Sequence, residues 1–356
     1  MRQIILLGVV LFIICLQAGC QQPAPRSDIG DDSDQPEILT WNLSVWGTPR
    51  PGTRVLDSIS EHIEAATDGK WNFVVHYGEA LSKARENLDG ISVGAFEAAL
   101  VCNFYHPQKN PGLMVLSLPF LPIDDWEDGL AVRQAVYAHP QIQKEMERWG
   151  AMIYSSSILP NYEIMGRGNP PVKLEDWQGL NVRAGGGIGA VMKKLGAVPT
   201  STTATEVYTG IQLGTMDAAA FPFTYAHVSY RLHEVSDWFT SNLAPGTSDC
   251  PVVLSIEAYE QLPRQYKDLL DSIKESVLED QRLAYEEIDK INLPMLREQL
   301  QEVRYTEADL RDFRTRFGNL VIEEWITENE QKFDARGLVE TVFSAVDMDY
   351  HSPDAP

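Results

Sequence analysis

The sequence predicts an α/β chain built as two units on largely parallel sheets. Three observations predict it. Short apolar runs of strand length alternate with segments whose apolar residues recur at helical spacing. The 356 residues are 44% hydrophobic, enough for one large core or two ordinary ones. A second set of strands starts near Asn161, and the chain then comes back through an apolar run at residues 251–256 into a long helical pattern.

Residues 38–45 alternate as a strand that stops at Trp46-Gly47-Thr48-Pro49. From Arg54 to Thr67 the apolar residues Val55, Ile59, Ile63 and Ala66 keep helical spacing, and Asp68-Gly69 ends the run. Residues 71–77 read as a strand. Ser82 is placed to cap a short helix reaching Asp89-Gly90. The small apolar run 98–102 predicts a buried strand. Pro119 and Pro122 break any helix through Leu116-Ser117-Leu118. Residues 127–149 are predicted as one helix, with Leu130, Ala131, Val136, Ile142 and Met146 inside.

In the second unit, Gly179-Leu180-Asn181-Val182-Arg183 predicts a strand ending in arginine. Ala184-Gly185-Gly186-Gly187-Ile188-Gly189 then opens a helix carrying Val191, Met192 and Leu195 to a stop at Gly196. Thr203-Ala204-Thr205-Glu206 is a capping box for a helix that runs to Gly214. Residues 216–221 form a buried strand that Pro222 stops. Residues 251–256 form another. The helical pattern 264–292 is expected to end at Pro294, and Thr306-Glu307-Ala308-Asp309 to begin a final helix toward Trp325.

The N-terminal residues set the compartment. Met1-Arg2-Gln3 is a short basic start, and residues 4–16 are an apolar run of signal-peptide length, too short to span a bilayer. Leu16-Gln17-Ala18-Gly19-Cys20 resembles a lipobox with Cys20 as the lipidated residue, although Gln17 replaces the usual aliphatic side chain. We therefore expect a signal peptide over 1–19 and a Pro- and Asp-rich flexible tether over 20–37. The expected location is periplasmic or otherwise extracytoplasmic, with membrane contact only through Cys20. With 51 acidic against 29 basic residues, and a formal charge of −22, the chain repels nucleic acid. Cys15 leaves with the leader. Cys102 and Cys250 remain, either as two buried thiols or as a disulfide, and the sequence leaves both open.

The arginine strand is the most informative segment. A guanidinium and the first N–H groups of a glycine-led helix are expected to converge on one spot, which favours an anion. No acid, base or nucleophile gathers around it, so a small carboxylate would be bound there rather than transformed.

At this point the chain resembles the solute-binding proteins of TRAP (tripartite ATP-independent periplasmic) transporters. Leu118-Pro119-Phe120-Leu121 is similar to the family's Leu-Pro-Phe segment. Trp177-Gln178-Gly179-Leu180-Asn181-Val182-Arg183 resembles its aromatic-x-Gly-Leu-x-x-Arg. Lys194-Leu195-Gly196-Ala197-Val198-Pro199 resembles its Leu-Gly-Ala-x-Pro. The run from Glu206-Val207-Tyr208 to Met216-Asp217 resembles its Glu-Val-Tyr-x-Ala-Leu-Gln-x-Gly-x-x-Asp. The resemblance spans nearly all of residues 38–330. It implies a two-lobed periplasmic-binding-protein fold, type II-like, that closes on a ligand and delivers it to TRAP membrane subunits.

It also implies Arg183 as the carboxylate clamp. Cleft positions fall on Trp46, Tyr105, Phe221 and Tyr225, with Cys102 and Asn103 at first-lobe contacts and Glu163 upstream of the clamp. Relatives that bind dicarboxylates resemble one another in a second arginine that this region lacks. A metal-binding Glu-Trp pair of the 2-oxo-acid subgroup is replaced by Ala220-Phe221. The expected ligand is thus a monocarboxylate with an apolar or aromatic body, bound without metal.

Chain order suggests lobes of 38–159 plus 250–288 and of 160–249 plus 289–347, a tail over 348–356, and a long helix lying across both lobes. A monomer is expected. Two other readings were weighed. A binding module that feeds a sensory receptor would look the same. A nucleotide-dependent secreted enzyme finds support only in Gly185-x-Gly187-x-x-Ala190, and Glu206 sits in a capping box rather than at a strand end. The seven histidines lack zinc-site spacing and no Gly-x-Ser-x-Gly elbow is present, so no catalytic residue or cofactor is expected.

Overall fold

A computed structural model describes residues 38–351. The leader, Cys20 and the tether lie outside the described residues. Eleven strands occur among the described residues: β1 (Leu39–Ser44), β2 (Trp71–His76), β3 (Ala98–Leu100), β4 (Ala151–Ile158), β5 (Tyr162–Gly166), β6 (Asn181–Arg183), β7 (Val198–Thr200), β8 (Ala218–Pro222), β9 (Trp238–Thr240), β10 (Asp249–Ser255) and β11 (Gln301–Val303). They form a five-stranded sheet ordered β2-β1-β3-β10-β4 and a six-stranded sheet ordered β11-β9-β5-β8-β6-β7. The fold is α/β and two-lobed, one sheet to a lobe.

The sheets are mixed rather than largely parallel. In the first, β1 is parallel to β2 and β3, but β10 is antiparallel to β3 and β4. In the second, β5 is antiparallel to β8 and β9, while β6 is parallel to β7 and β8. The antiparallel strands are the ones at which the chain crosses. β5 is the first strand of the second sheet and β10 the strand that returns to the first. Each enters from the neighbouring lobe without a crossover helix, so it runs against its neighbours.

The start of β10 is fixed from below. Asp249 is fully buried and accepts hydrogen bonds from Arg133 Nε (2.8 Å), Tyr137 Oη (2.6 Å) and Ser156 Oγ (2.9 Å). Removing one partner of such a buried pair typically costs about 3–5 kcal/mol.

The helix Arg54–Thr67 forms as the apolar spacing requires. Val55, Ile59 and Ile63 are buried, and Asp68 and Gly69 both take positive φ to end it. The capping box at Thr203 and Glu206 is also present. Ser82 caps nothing; it hydrogen-bonds the Asn87 side chain, and the short helix there is Asn87–Ser92.

The predicted 127–149 helix is two, Trp126–Ala138 and Pro140–Glu147. His139 precedes a proline and is therefore extended, at ψ 132°. Pro294, by contrast, ends nothing. The long helix is Arg264–Gln299 with Pro294 inside, and buried Leu296 anchors the turn beyond it. At 1.5 Å per residue it is about 54 Å long, and it packs on the helix Arg54–Thr67 of the first lobe and on β11 of the second.

After Thr306, the helix Glu307–Phe313 passes through a π-turn at Arg314–Gly318 into Asn319–Asn329. A further helix, Ala335–Ser344, packs Leu338, Val339 and Val342 against Val132 and Val136 of the first lobe. The segment after β11 therefore leaves the second sheet and covers the first lobe. Tyr350 is packed too, on Phe343 and with its hydroxyl on Glu323.

Candidate functional site

Arg183 closes β6, in register with Thr200 of β7 and Ala219 of β8. Its side chain is 2% exposed. Nε donates to the Thr202 carbonyl (3.2 Å), Nη1 to the Ala220 carbonyl (3.0 Å) and Nη2 to Tyr105 Oη (3.4 Å). The guanidinium carbon lies 4.5 Å from the centre of the Phe221 ring and 5.1 Å from that of Phe104. No ion pair among the described residues involves Arg183. A guanidinium has five N–H donors, so one on each Nη is left over.

Tyr105 supplies another spare donor. Its phenol oxygen accepts from Arg183 and from the Ala204 N–H (2.9 Å). Burial pushes its pKa up, so it stays a neutral hydroxyl. The hydroxyl hydrogen finds no acceptor among the described residues. Arg183 and Tyr105 thus bring unused donors to one cavity, which is the arrangement an oxyanion completes.

Both groups border a cavity of about 380 Å³, open solvent at its mouth included. The lining holds two arginines and no acidic residue, in a chain with 51 acids.

Six lining side chains close into a ring around the cavity. Arg183 meets Phe221 at 4.5 Å, Phe221 meets Tyr230 at 5.4 Å, and Tyr230 meets Arg50 at 5.5 Å. Arg50 meets Trp46 at 5.7 Å, Trp46 meets Tyr105 at 5.4 Å, and Tyr105 returns to Arg183. Trp46, Arg50 and Tyr105 come from segments beside β1 and β3. Arg183, Phe221 and Tyr230 come from the second lobe.

Of the residues expected here, Arg183, Trp46, Tyr105, Phe221, Tyr225 and Cys102 line the cavity. Asn103 and Glu163 do not. Asn103 Nδ2 donates to the Leu113 carbonyl (3.2 Å), and its Oδ1 accepts from Phe104 N (2.7 Å) and Ser248 Oγ (2.8 Å). It ties the turn Asn103–Tyr105 to the start of β10. Glu163 follows Tyr162 in β5, and adjacent strand residues face opposite ways. Tyr162 lines the cavity, so Glu163 points away, accepting from Thr240 Oγ1, Leu243 N (3.2 Å) and Ala244 N (3.0 Å).

Cys102 and Cys250 are joined in a disulfide. The β3–β10 register, with Leu100 opposite Val252, brings them face to face one step past the Val101 N–H bond to the Pro251 carbonyl. That is the narrow, non-hydrogen-bonded position of an antiparallel pair. The question that the sequence left open is answered by register.

The glycine-led helix Gly186–Lys194 is not at the Arg183 cavity. A Cβ at Gly185 would come within 2.8 Å of the Phe104 ring, and one at Gly187 within 2.5 Å of the Ser117 carbonyl oxygen. These glycines let the lobes touch, and none of them lines the Arg183 cavity. The sequence reading also missed Arg50, Phe104, Tyr162 and Tyr230. Arg50 was the findable one, four residues past Trp46 and just after a Gly-Thr-Pro turn.

The model of bacterial extracellular solute-binding protein family 7, DctP, matches residues 44–328. The chain belongs to this family. A solute-binding protein of Albidiferax ferrireducens is 24% identical over 223 residues, 62% of this chain and 65% of that protein. The chain thus spans just under two thirds of that curated relative. Among solved structures, a TRAP solute-binding protein from Rhodoferax ferrireducens with copurified benzoate superposes with a TM-score of 0.77, at 15% identity, over 86% of this chain and 97% of that one. A TRAP periplasmic solute-binding protein from Desulfovibrio salexigens with bound orotic acid superposes at 0.78, with 17% identity, over 86% and 98%.

In this solute-binding protein, Glu163 carries a pH signature. Burial outweighs its hydrogen-bond donors and pushes its carboxyl up to about 7. His227, whose Nε2 lies 3.2 Å from the Glu163 carbonyl, is held neutral by burial, at about 3, and does not titrate in that range. The folded state binds the Glu163 proton more tightly than the unfolded state does. Its stabilising share is therefore complete below an ordinary carboxyl pKa and lost as pH rises toward 7. Urea unfolding between pH 5 and 8 is expected to show stability falling through that window, and Glu163→Gln is expected to flatten the fall. An unchanged slope in the variant would contradict this.

Proposed function

We propose that the cavity captures a small monocarboxylate with an apolar or aromatic body and that the protein hands it to the membrane subunits of a TRAP transporter. One observation carries the reading: a buried guanidinium with no acidic partner, beside a phenol whose hydrogen points at no acceptor. A buried, unpaired charge is costly. A ligand carboxylate would supply the missing acceptors, and charge-assisted hydrogen bonds of this kind are worth about 1.5–3 kcal/mol each. The aromatic walls add apolar burial at about 25 cal/mol per Å². The acids bound by the Rhodoferax and Desulfovibrio proteins, benzoate and orotic acid, support a ring-sized carboxylate.

Benzoate is the first probe. In calorimetry Arg183→Ala is expected to weaken its binding by about 2–5 kcal/mol. Arg183→Lys is expected to recover only part, because lysine lacks the planar fork. Equal affinity in wild type and Arg183→Ala would overturn the reading.

The ring around the cavity supports closure of two lobes on the ligand, with the expected bounds of 38–159 plus 250–288 and 160–249 plus 289–347 changed in one respect: the helix Ala335–Ser344 packs on the first lobe. Its two junctions, Tyr105 with Arg183 and Arg50 with Tyr230, each join the lobes. A ligand touching both sides shifts the population toward the closed form. Small-angle scattering is expected to give a smaller radius of gyration at saturating ligand than in ligand-free protein. An unchanged radius would count against closure.

Membrane tethering through Cys20 is part of the same reading, supported by the basic start, the apolar run and the small residues before Cys20. Cys20→Ala is expected to move the protein from the membrane fraction to the soluble one. A wild-type protein already soluble after cell breakage would contradict it.

A further inference from the structure

The second arginine of the ring has chemistry that a simple monocarboxylate leaves unused. Arg50 Nη1 donates to the Trp46 carbonyl (2.9 Å) and the Thr48 carbonyl (2.8 Å). These bonds fix the plane of the guanidinium. Nε and Nη2 have no hydrogen-bond partner among the described residues, and no acidic side chain there lies within ion-pair distance of Arg50. The group is sandwiched between the Trp46 and Tyr230 rings, at 5.7 and 5.5 Å.

Position matters as much as valence. Within the six-membered ring of side chains, Arg50 and Arg183 are separated on one side by Phe221 and Tyr230 and on the other by Tyr105 and Trp46. Both cations line the cavity, two aromatic side chains apart either way round the ring. A carboxylate held by Arg183 and Tyr105 would leave the far end of the ligand toward Arg50. Arg50 is half-buried, so an apolar far end would leave its free N–H donors to solvent at the mouth of the cavity. An oxygen acceptor would complete them. A site built to hydrogen-bond an oxygen rejects the analogue without it more strongly than an apolar site rejects an extra one.

We propose that Arg50 is a specificity-determining residue that selects planar organic acids bearing an oxygen acceptor — hydroxyl, carbonyl or a second carboxylate — at the end opposite the carboxylate held by Arg183. The proposal rests on the carboxylate reading of Arg183. It narrows that reading to an aromatic-bodied acid whose far end carries oxygen, and departs from the monocarboxylate only where that oxygen belongs to a second carboxylate.

Calorimetry on ligand-free protein with three probes tests it: benzoate, 4-hydroxybenzoate and benzene-1,4-dicarboxylate. Wild type is expected to bind at least one of the two oxygen-bearing probes about tenfold or more tighter than benzoate. Arg50→Met keeps the aliphatic stem against Trp46 and Tyr230 but removes the donors. It is expected to abolish that preference, with a larger loss of affinity for the oxygen-bearing probes than for benzoate. Arg50→Lys, which keeps the charge, serves if the methionine variant fails to fold, and is expected to lose most of the preference. Equal loss for all probes in the variants would assign Arg50 to packing alone and overturn the proposal. So would a wild type that binds benzoate as tightly as both substituted acids, although benzoate binding that still depends on Arg183 would leave the carboxylate reading standing. If Arg183→Ala changes no affinity, the carboxylate reading falls and this proposal falls with it.

Discussion

The cavity is organised around a buried guanidinium that the protein itself does not neutralise. Arg183 is as buried as Arg133, yet Arg133 has Asp249 at 2.8 Å while Arg183 has only carbonyls, a phenol and two aromatic faces. The contrast separates an arginine that the fold neutralises from one that it does not, and the proposed carboxylate clamp rests on that contrast. Neutral acceptors and ring quadrupoles offset part of the desolvation cost and hold the fork still. They leave its remaining donors, with the Tyr105 hydroxyl, aimed at one point. The chain's formal charge of −22 repels anions at long range, so attraction must come from these few groups at contact distance, where low polarity strengthens them.

The fold places those groups by crossing between two sheets. β5 and β10 each enter a sheet antiparallel to their neighbours, and the segments at their ends carry much of the cavity wall: Ser157, Leu159 and Tyr162 at one crossing, Cys250 at the other. Supports behind the wall lie on the same strands. Asp249 anchors β10 to the helix Trp126–Ala138, and Gln281 of the long helix donates to the Gly52 carbonyl and Ser157 Oγ, both at 3.1 Å. The disulfide locks β3 to β10 at the cavity itself. Close approach of the lobes depends on glycine. At Gly52 a Cβ would sit 2.2 Å from the Tyr225 hydroxyl, and at Gly185 it would strike Phe104.

Much of this is legible in the sequence, and the failures have physical causes. Periodicity located the Arg54–Thr67 helix, the arginine strand and the capping box because each is decided by local spacing and side-chain hydrogen bonds. Direction in a sheet is decided by where the chain comes from, so the local pattern at 251–256 does not show that β10 runs antiparallel, and β5 is not read as a strand at all. Pro294 reads as a stop in the sequence, but packing of Leu296 holds the helix through it. Glu163 is lost by facing: one residue along a strand reverses a side chain, and Tyr162 takes the inward place. Asn103 lies in the turn Asn103–Tyr105, where Leu113, Phe104 and Ser248 occupy its side chain. The glycines after Arg183 suggested an anion site because sequence cannot distinguish a glycine needed for a ligand from one needed for a neighbouring lobe. Arg50 was missed because its turn looked like a helix lead-in, and only the tertiary ring reveals what it faces.

A crystal structure of the protein with benzoate tests the central claim most directly. The account predicts the carboxylate within about 2.7–3.0 Å of an Arg183 Nη nitrogen and of the Tyr105 hydroxyl oxygen, as charge-assisted hydrogen bonds require. It predicts the ring between the aromatic walls with its far edge toward Arg50. A carboxylate bound away from Arg183, for example at the start of the helix Gly186–Lys194, would contradict it.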